Sequence, residues 1–364
     1  MNRRWDTIRI MTADKKRTIF WLDLIRVVSI FMVVAVHATS PLLNGWEDLS
    51  KADWIAGDIY ASLVRACVPL LFMVSGYLLL GKQESIPQFY SSRIKKVVVP
   101  FIAWSAIYLI WQNGYGNYTV INAVKTILLS ISLGPAYYHF WFLYALLLIY
   151  LFVPLLRIII QFADDRLLWY GAVLWLMFSP ILDTVENLLG FEFAADLGFF
   201  TEYIGFFYLG YLLGRRQYSS REITLAALTF ITAVAYTAYN TYTATSAFGD
   251  YNDFFLHYLR LNIVLMSLSA FIWLKALGEK MSAAPQSLSV RLVQSLAGTS
   301  FGIYLIHAMM LSFLRRGAFG FEISALSGPA SLYAPLVTVL AFAVSWAIVF
   351  ILQKIPYLRV IVPG

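Results

Sequence analysis

Charge is scarce in this chain. Only 13% of its 364 residues are Asp, Glu, Lys or Arg, against about 25% in soluble domains, while 60% are apolar. Cysteine is scarcer still: Cys67 is the single one, which excludes a disulfide framework and a cysteine-ligated metal centre, and no metal is expected. A soluble core cannot hide so much apolar side chain, because a folded surface needs polar cover. A disordered chain, a coiled coil and an ordinary cytosolic enzyme are excluded together. No fixed-period repeat is present. What remains is an all-α polytopic membrane protein.

Spanning a bilayer takes about 20 apolar residues. About ten transmembrane helices are expected, near 19–43, 57–80, 97–113, 138–160, 167–183, 199–214, 222–242, 256–277, 293–315 and 331–353. The stretch 120–133 is too short to span and reads as interfacial or re-entrant. The turn around Gly114 and Gly116 falls outside the spans, as unpaired peptide groups require. The expected organisation is a basic cytoplasmic tail over 1–18, a single membrane domain over 19–353 and a short cytoplasmic tail over 354–364. The first span lacks a small-residue cleavage site and reads as retained.

Orientation follows from the basic residues. With both termini cytoplasmic, twenty Lys and Arg fall on the inner side and four (Lys51, Lys125, Arg315 and Arg316) on the outer side. Outer loops carry Glu47, Asp48, Asp53, Asp58, Glu192 and Asp250 instead. The net charge of +7 is therefore an insertion signal, and no nucleic-acid partner is expected.

Ionisable groups inside spans are costly and point to function. In the first span Arg26 and His37 are eleven residues apart, which returns to nearly the same helix face after a rise of about 16 Å. Asp23, one turn before Arg26, can pair with it. Arg65 lies in the outer third of the second span, at a depth similar to His37. Glu202, His257, Arg260 and His307 also fall in outer halves, and His139 opens the fourth span beside Trp141. For His139, His257 and Trp141 an interfacial role in the aromatic belt is the plainer alternative. Arg93, Lys95 and Lys96 line the inner mouth, where the positive-inside signal alone could explain them.

These segments resemble a known family. Arg26 with His37, Arg65-Ala-Cys-Val-Pro69, Ser75-Gly76-Tyr77, Arg93-Ile-Lys-Lys96, His139-Phe-Trp141 and Ser300-Phe-Gly302-Ile-Tyr304-Leu-Ile-His307 are similar, in order, to motifs of the acyltransferase 3 family of integral membrane acyltransferases. Within it the enterobacterial common antigen O-acetyltransferase type, of similar size and without a fused domain, is nearest in kind. The resemblance implies a multi-pass protein of the bacterial cytoplasmic (inner) membrane. It further implies transfer of an acyl group, usually acetyl, from acyl-CoA at the cytoplasmic face to a hydroxyl of a glycan or lipid-linked sugar. His37 takes the place of the motif histidine and Arg26 that of its partner. The family's Arg-x-x-Arg motif falls on Arg93 and Lys96, so its last position departs here.

The chemistry suits that placement. A sugar hydroxyl attacks a thioester only as a base removes its proton, and histidine is the usual agent. His37 is the expected base, with a covalent acyl-histidine as the other role. Arg65 is the expected partner of the developing oxyanion. Arg26, Arg93 and Lys96 are the expected contacts for acetyl-CoA, which serves as acyl donor with no tightly bound cofactor. Glu202, His307, His139 and Trp141 are expected in the acceptor pocket. The oligomeric state is open, a homodimer included. A secondary transporter or glycolipid flippase is the rival class, although the two halves show no matching broken helices.

Overall fold

In the computed structural model, residues 19–113, 125, 134–189 and 202–364 are described, and all the regular structure among them is helical. The tail 1–18, Gly114 and Gly116, the segment 120–133 apart from Lys125, Glu192, and the start of the 199–214 window lie outside those residues.

The helices are α1 (Phe20–Leu43), α2 (Lys51–Leu63), α3 (Cys67–Leu80), α4 (Ile86–Arg93), α5 (Val99–Asn113), α6 (Trp141–Phe162), α7 (Asp165–Leu176), α8 (Leu182–Leu189), α9 (Ile204–Gly214), α10 (Ser220–Phe248), α11 (Leu261–Met281), α12 (Leu288–Arg315) and α13 (Ala330–Lys354). Joined across short turns, they give nine segments long and apolar enough to cross a membrane among the described residues. Nine of the ten expected windows coincide with them. Of the tenth, 199–214, the described residues hold the 11-residue α9, which at 1.5 Å per residue is too short to cross alone.

The second window departs from expectation in a useful way. It is not one helix but α2 and α3 separated by a turn at Val64–Ala66, so Arg65 sits in the break and not on a helix. Pro69 is the cause. Its ring would collide with the carbonyl of Arg65, four residues back, whereas Pro is tolerated in the first turn of a new helix.

Helix α1 runs through the middle of the bundle, with Ile25 and Val34 fully buried, and packs against α2, α3, α11, α12 and α13. Its first residues meet the end of α3, where Trp21 and Tyr77 rings lie 4.9 Å apart. Its last residues meet α2, where Trp54 Nε1–H donates to Leu43 O at 2.9 Å. The bundle thus has an Arg26 end and a His37 end. Helices α3 and α9 touch backbone to backbone: a Cβ on Gly76 would lie 1.7 Å from Phe207 O, and one on Gly210 2.1 Å from Met73 O. Small residues permit that approach where lipid gives no hydrophobic reason for helices to associate. Outward faces of α6, α10 and α13 present Leu151, Leu155, Leu228, Ile231, Val339 and Ile351, the apolar belt a bilayer demands.

Candidate active site

The chain has four histidines, and three of them converge at the His37 end. The His37 ring lies 5.3 Å from that of His307 and 6.5 Å from that of His139, and His139 and His307 are 4.9 Å apart. Two helices and a turn supply them: α1, α12 and the turn leading into α6. His307 and His139 are 0% and 1% exposed, while His37 is half-buried at the edge of an open cavity.

The local structure fixes one tautomer. His307 Nδ1 lies 2.6 Å from Tyr304 O, and a carbonyl oxygen only accepts, so in the neutral ring Nδ1 carries the proton and Nε2 the lone pair. That Nε2, and both ring nitrogens of His139, have no hydrogen-bond partner among the described residues. Buried polar atoms are seldom left so, and three together mark a site.

Tyrosines hold the frame. Tyr304 OH donates to His139 O at 2.6 Å. Tyr108 OH of α5 donates to Leu305 O at 3.0 Å and accepts from Met309 N–H at 3.1 Å, the pair that an undisturbed helix would join directly. A foreign hydroxyl thereby splints the turn that carries His307. Pro41 acts on α1 in the opposite sense: lacking an N–H, it leaves the His37 carbonyl without its helical donor.

Beside His37 opens a cavity of about 600 Å³, walled also by Arg65, Tyr138, Asp253, Ser312 and Arg315. Arg65 is anchored from behind, its Nε–H donating to Leu256 O and its guanidinium lying 4.5 Å over the Tyr258 ring. Its terminal nitrogens have no hydrogen-bond partner among the described residues. Asp253 meets His257 at 3.5 Å, and the hydrogen bond from His257 holds its carboxyl below the usual range. Tyr138 and His37 rings are 4.8 Å apart.

At the Arg26 end, Arg26 pairs with Asp23 at 3.2 Å, as the spacing predicted, and it is not part of the His37 cavity wall. Arg93 closes α4, and Lys96 is exposed on the π-helical turn that follows. Glu84 gathers Lys82 (2.6 Å), Arg157 (3.0 Å) and Arg93 (3.2 Å). Burial alone would raise its carboxyl, but hydrogen bonds from Lys82 and Arg157 and the nearby cationic charges outweigh that and hold it low. Lys82, Glu84 and Arg157 also line a second cavity, of about 570 Å³.

The structure therefore brings His37, His139, His307 and Arg65 to one end, and Arg26, Arg93 and Lys96 lie towards the other. Glu202 is brought to neither: it is exposed and lines a separate small pocket with Ala145 and Leu148. Trp141 stands one layer back, with its ring 5.7 Å from the Tyr258 ring that carries Arg65. Tyr108, Tyr258, Glu84 and Ser312 were not singled out in the sequence, and Tyr304 was named only as part of a motif, because a tyrosine in a span is indistinguishable from an aromatic belt residue.

Comparison with known proteins places the chain in a family. The chain is 30% identical over 160 residues to the succinoglycan biosynthesis protein ExoH of Rhizobium meliloti (strain 1021), covering 38% of this chain and 42% of that protein. It is 26% identical over 237 residues to the serine/alanine racemase of Enterococcus gallinarum, covering 58% of this chain and 31% of that protein. The chain thus spans well under two thirds of either relative. No solved structure matches. The acyltransferase 3 model, described as an acyltransferase domain, matches residues 19–350, from the first turn of α1 almost to the end of α13, and the chain belongs to that family.

Proposed function

We propose that this membrane acyltransferase is an O-acetyltransferase that carries an acetyl group from cytoplasmic acetyl-CoA to a hydroxyl of a cell-surface glycan or lipid-linked sugar. The observation that carries the reading is the half-buried His37 imidazole at the edge of an open polar cavity, backed by two buried imidazoles. The Rhizobium relative, by its name a protein of glycan biosynthesis, supports a sugar acceptor. The host membrane in this reading is the bacterial inner membrane, with the Arg26 end cytoplasmic as the charge count gives. The subfamily reading, the enterobacterial common antigen O-acetyltransferase type, belongs to the same proposal.

In the reaction the acceptor oxygen attacks the thioester carbonyl carbon, the C–O bond forms and the C–S bond breaks. The hydroxyl proton passes to the His37 imidazole and from there to the departing sulfur, releasing ester and CoA thiol. General-base assistance of this kind contributes about 10²–10⁴-fold. Arg65, with terminal nitrogens open to the cavity, balances the charge that gathers on the carbonyl oxygen. Arg26, Arg93 and Lys96 offer cations to the phosphates of CoA, which suits the fork of arginine in particular.

Purified protein given labelled acetyl-CoA and membrane glycan should release CoA thiol and label the glycan. His37→Ala of normal fold should do neither, and unchanged transfer by that variant would end the assignment. A transporter or flippase reading draws on one observation, the broken helix at Arg65. It forecasts no CoA thiol under any acceptor, so the same assay separates the two.

A further inference from the structure

Most buried hydroxyls on the helices of this protein are satisfied within their own helix. Ser29, Thr39, Thr237, Ser267 and Thr338 each donate to the carbonyl four residues back. Ser312 on α12 does not. It is 6% exposed, its Oγ has no partner among the described residues, and it lines the His37 cavity. Ser105, Thr241 and Ser345 share the lack of a partner but not the cavity. On the same stripe of α12, Ala308, Leu311 and Arg315 also line the cavity, at the i, i+3, i+4 and i+7 spacing of one helix face.

Arg315 has no carboxylate within ion-pairing distance among the described residues. It is also one of only four cations that the charge count leaves on the His37 side, among loops that are otherwise acidic. A cation in the last turn of a helix gains a little from the helix dipole. That gain needs no cavity and no unpartnered hydroxyl one turn away. Among the described residues that line the cavity, the one carboxylate, Asp253, is already engaged by His257.

We infer that Ser312 and Arg315 form a subsite for an anionic group, so that the acceptor is an acidic glycan. This rests on the acyl-transfer reading for its purpose, not for its geometry. Arg315 is eight residues beyond His307, about 12 Å along the helix, and an arginine side chain on a helix leans back towards the N-terminus. The anion is therefore bound about one sugar ring away from the reacting hydroxyl. Arg65 is left for the reacting end, and Arg315 selects the acceptor. A uronate carboxylate and a sugar phosphate both fit the pair, a guanidinium fork beside a hydroxyl donor.

Three acceptors with the same pyranose ring separate the possibilities: methyl glucoside, methyl glucuronide and glucose 1-phosphate. CoA thiol release is measured with acetyl-CoA, and thermal stabilisation by each sugar is measured without donor. An anionic sugar should show a KM about tenfold below the neutral one and stabilise the protein more. Arg315→Gln should erase that ratio, Arg315→Lys should keep part of it, and Ser312→Ala should reduce it. An advantage confined to the glucuronide identifies a carboxylate, and one confined to the phosphate identifies a phosphoryl group; either supports the subsite. Equal KM and equal stabilisation for all three sugars, or a preference that survives Arg315→Gln, overturns it and leaves acyl transfer standing. Anion-specific, Arg315-dependent stabilisation with no CoA release from any sugar does the reverse.

Discussion

The imidazole of His307 lies 5.3 Å from that of His37, centroid to centroid, with 29° between the ring planes. The two are stacked, and of the pair His37 lines the cavity while His307 is fully buried behind it. Residues that act as one unit give mutational effects that do not add. His37→Ala should slow acyl transfer by about 10²–10⁴-fold. His307→Phe, which keeps the stacked ring and loses the Nε2 lone pair, should slow it by about tenfold or more without changing KM for acetyl-CoA. The double variant should be no slower than His37→Ala, as measured by CoA thiol release.

Tyr108 supports His307 from α5, and its removal should separate stability from activity. In Tyr108→Phe the freed Leu305 carbonyl and Met309 N–H can pair with each other, so the loss of stability should be about 1 kcal/mol or less. The turn beneath His307 then relaxes, and kcat should fall further than stability does. Unfolding in detergent and turnover on the same sample check both.

Gly76 has no room for a methyl group. Its Cβ would fall 1.7 Å from a backbone oxygen of α9, which no rotamer change can relieve. Gly76→Ala should cost about 1–3 kcal/mol or more by forcing α3 and α9 apart. The unfolding temperature in detergent should drop accordingly, whereas Gly134→Ala, whose Cβ would meet nothing within 4 Å, should leave it unchanged.

The Glu84 cluster gives a pH dependence of definite sign. The Glu84 carboxyl is held below its ordinary value of about 4.3, so the cluster's stabilisation is fully present above that pH. It is lost as the pH falls through the lower, folded-state value. Unfolding temperatures of wild type and Glu84→Gln should differ at about pH 6 and converge at acid pH.

Much of the fold was legible in the sequence, because lipid punishes charge and rewards runs of about 20 apolar residues. The window 199–214 marks the limit of that signal: hydropathy alone does not tell a short buried helix such as α9 from part of a longer spanning one. Pro69 was visible as part of a motif, but the break it forces at Arg65 depends on its clash with a carbonyl four residues back. Titratable groups gathering in the outer half were also visible, and His37, His139 and His307 do meet. That they meet across two helices and a turn, and that Glu202 stays apart, depends on helix rotation, which a linear sequence of apolar residues leaves nearly undetermined. The roles of Tyr108 and Ser312 depend on single hydrogen bonds, made in one case and missing in the other.

Pro41 stands one turn after His37 and, lacking an N–H, cannot donate to the His37 carbonyl as a residue in that place ordinarily does, and both residues line the cavity. On the proposed acyl transfer, the acceptor would then be offered main chain as well as side chain: one hydroxyl could rest its hydrogen on that oxygen while its neighbour is deprotonated. The imino acid thus takes one rung out of the helical ladder at the residue that carries the proposed base.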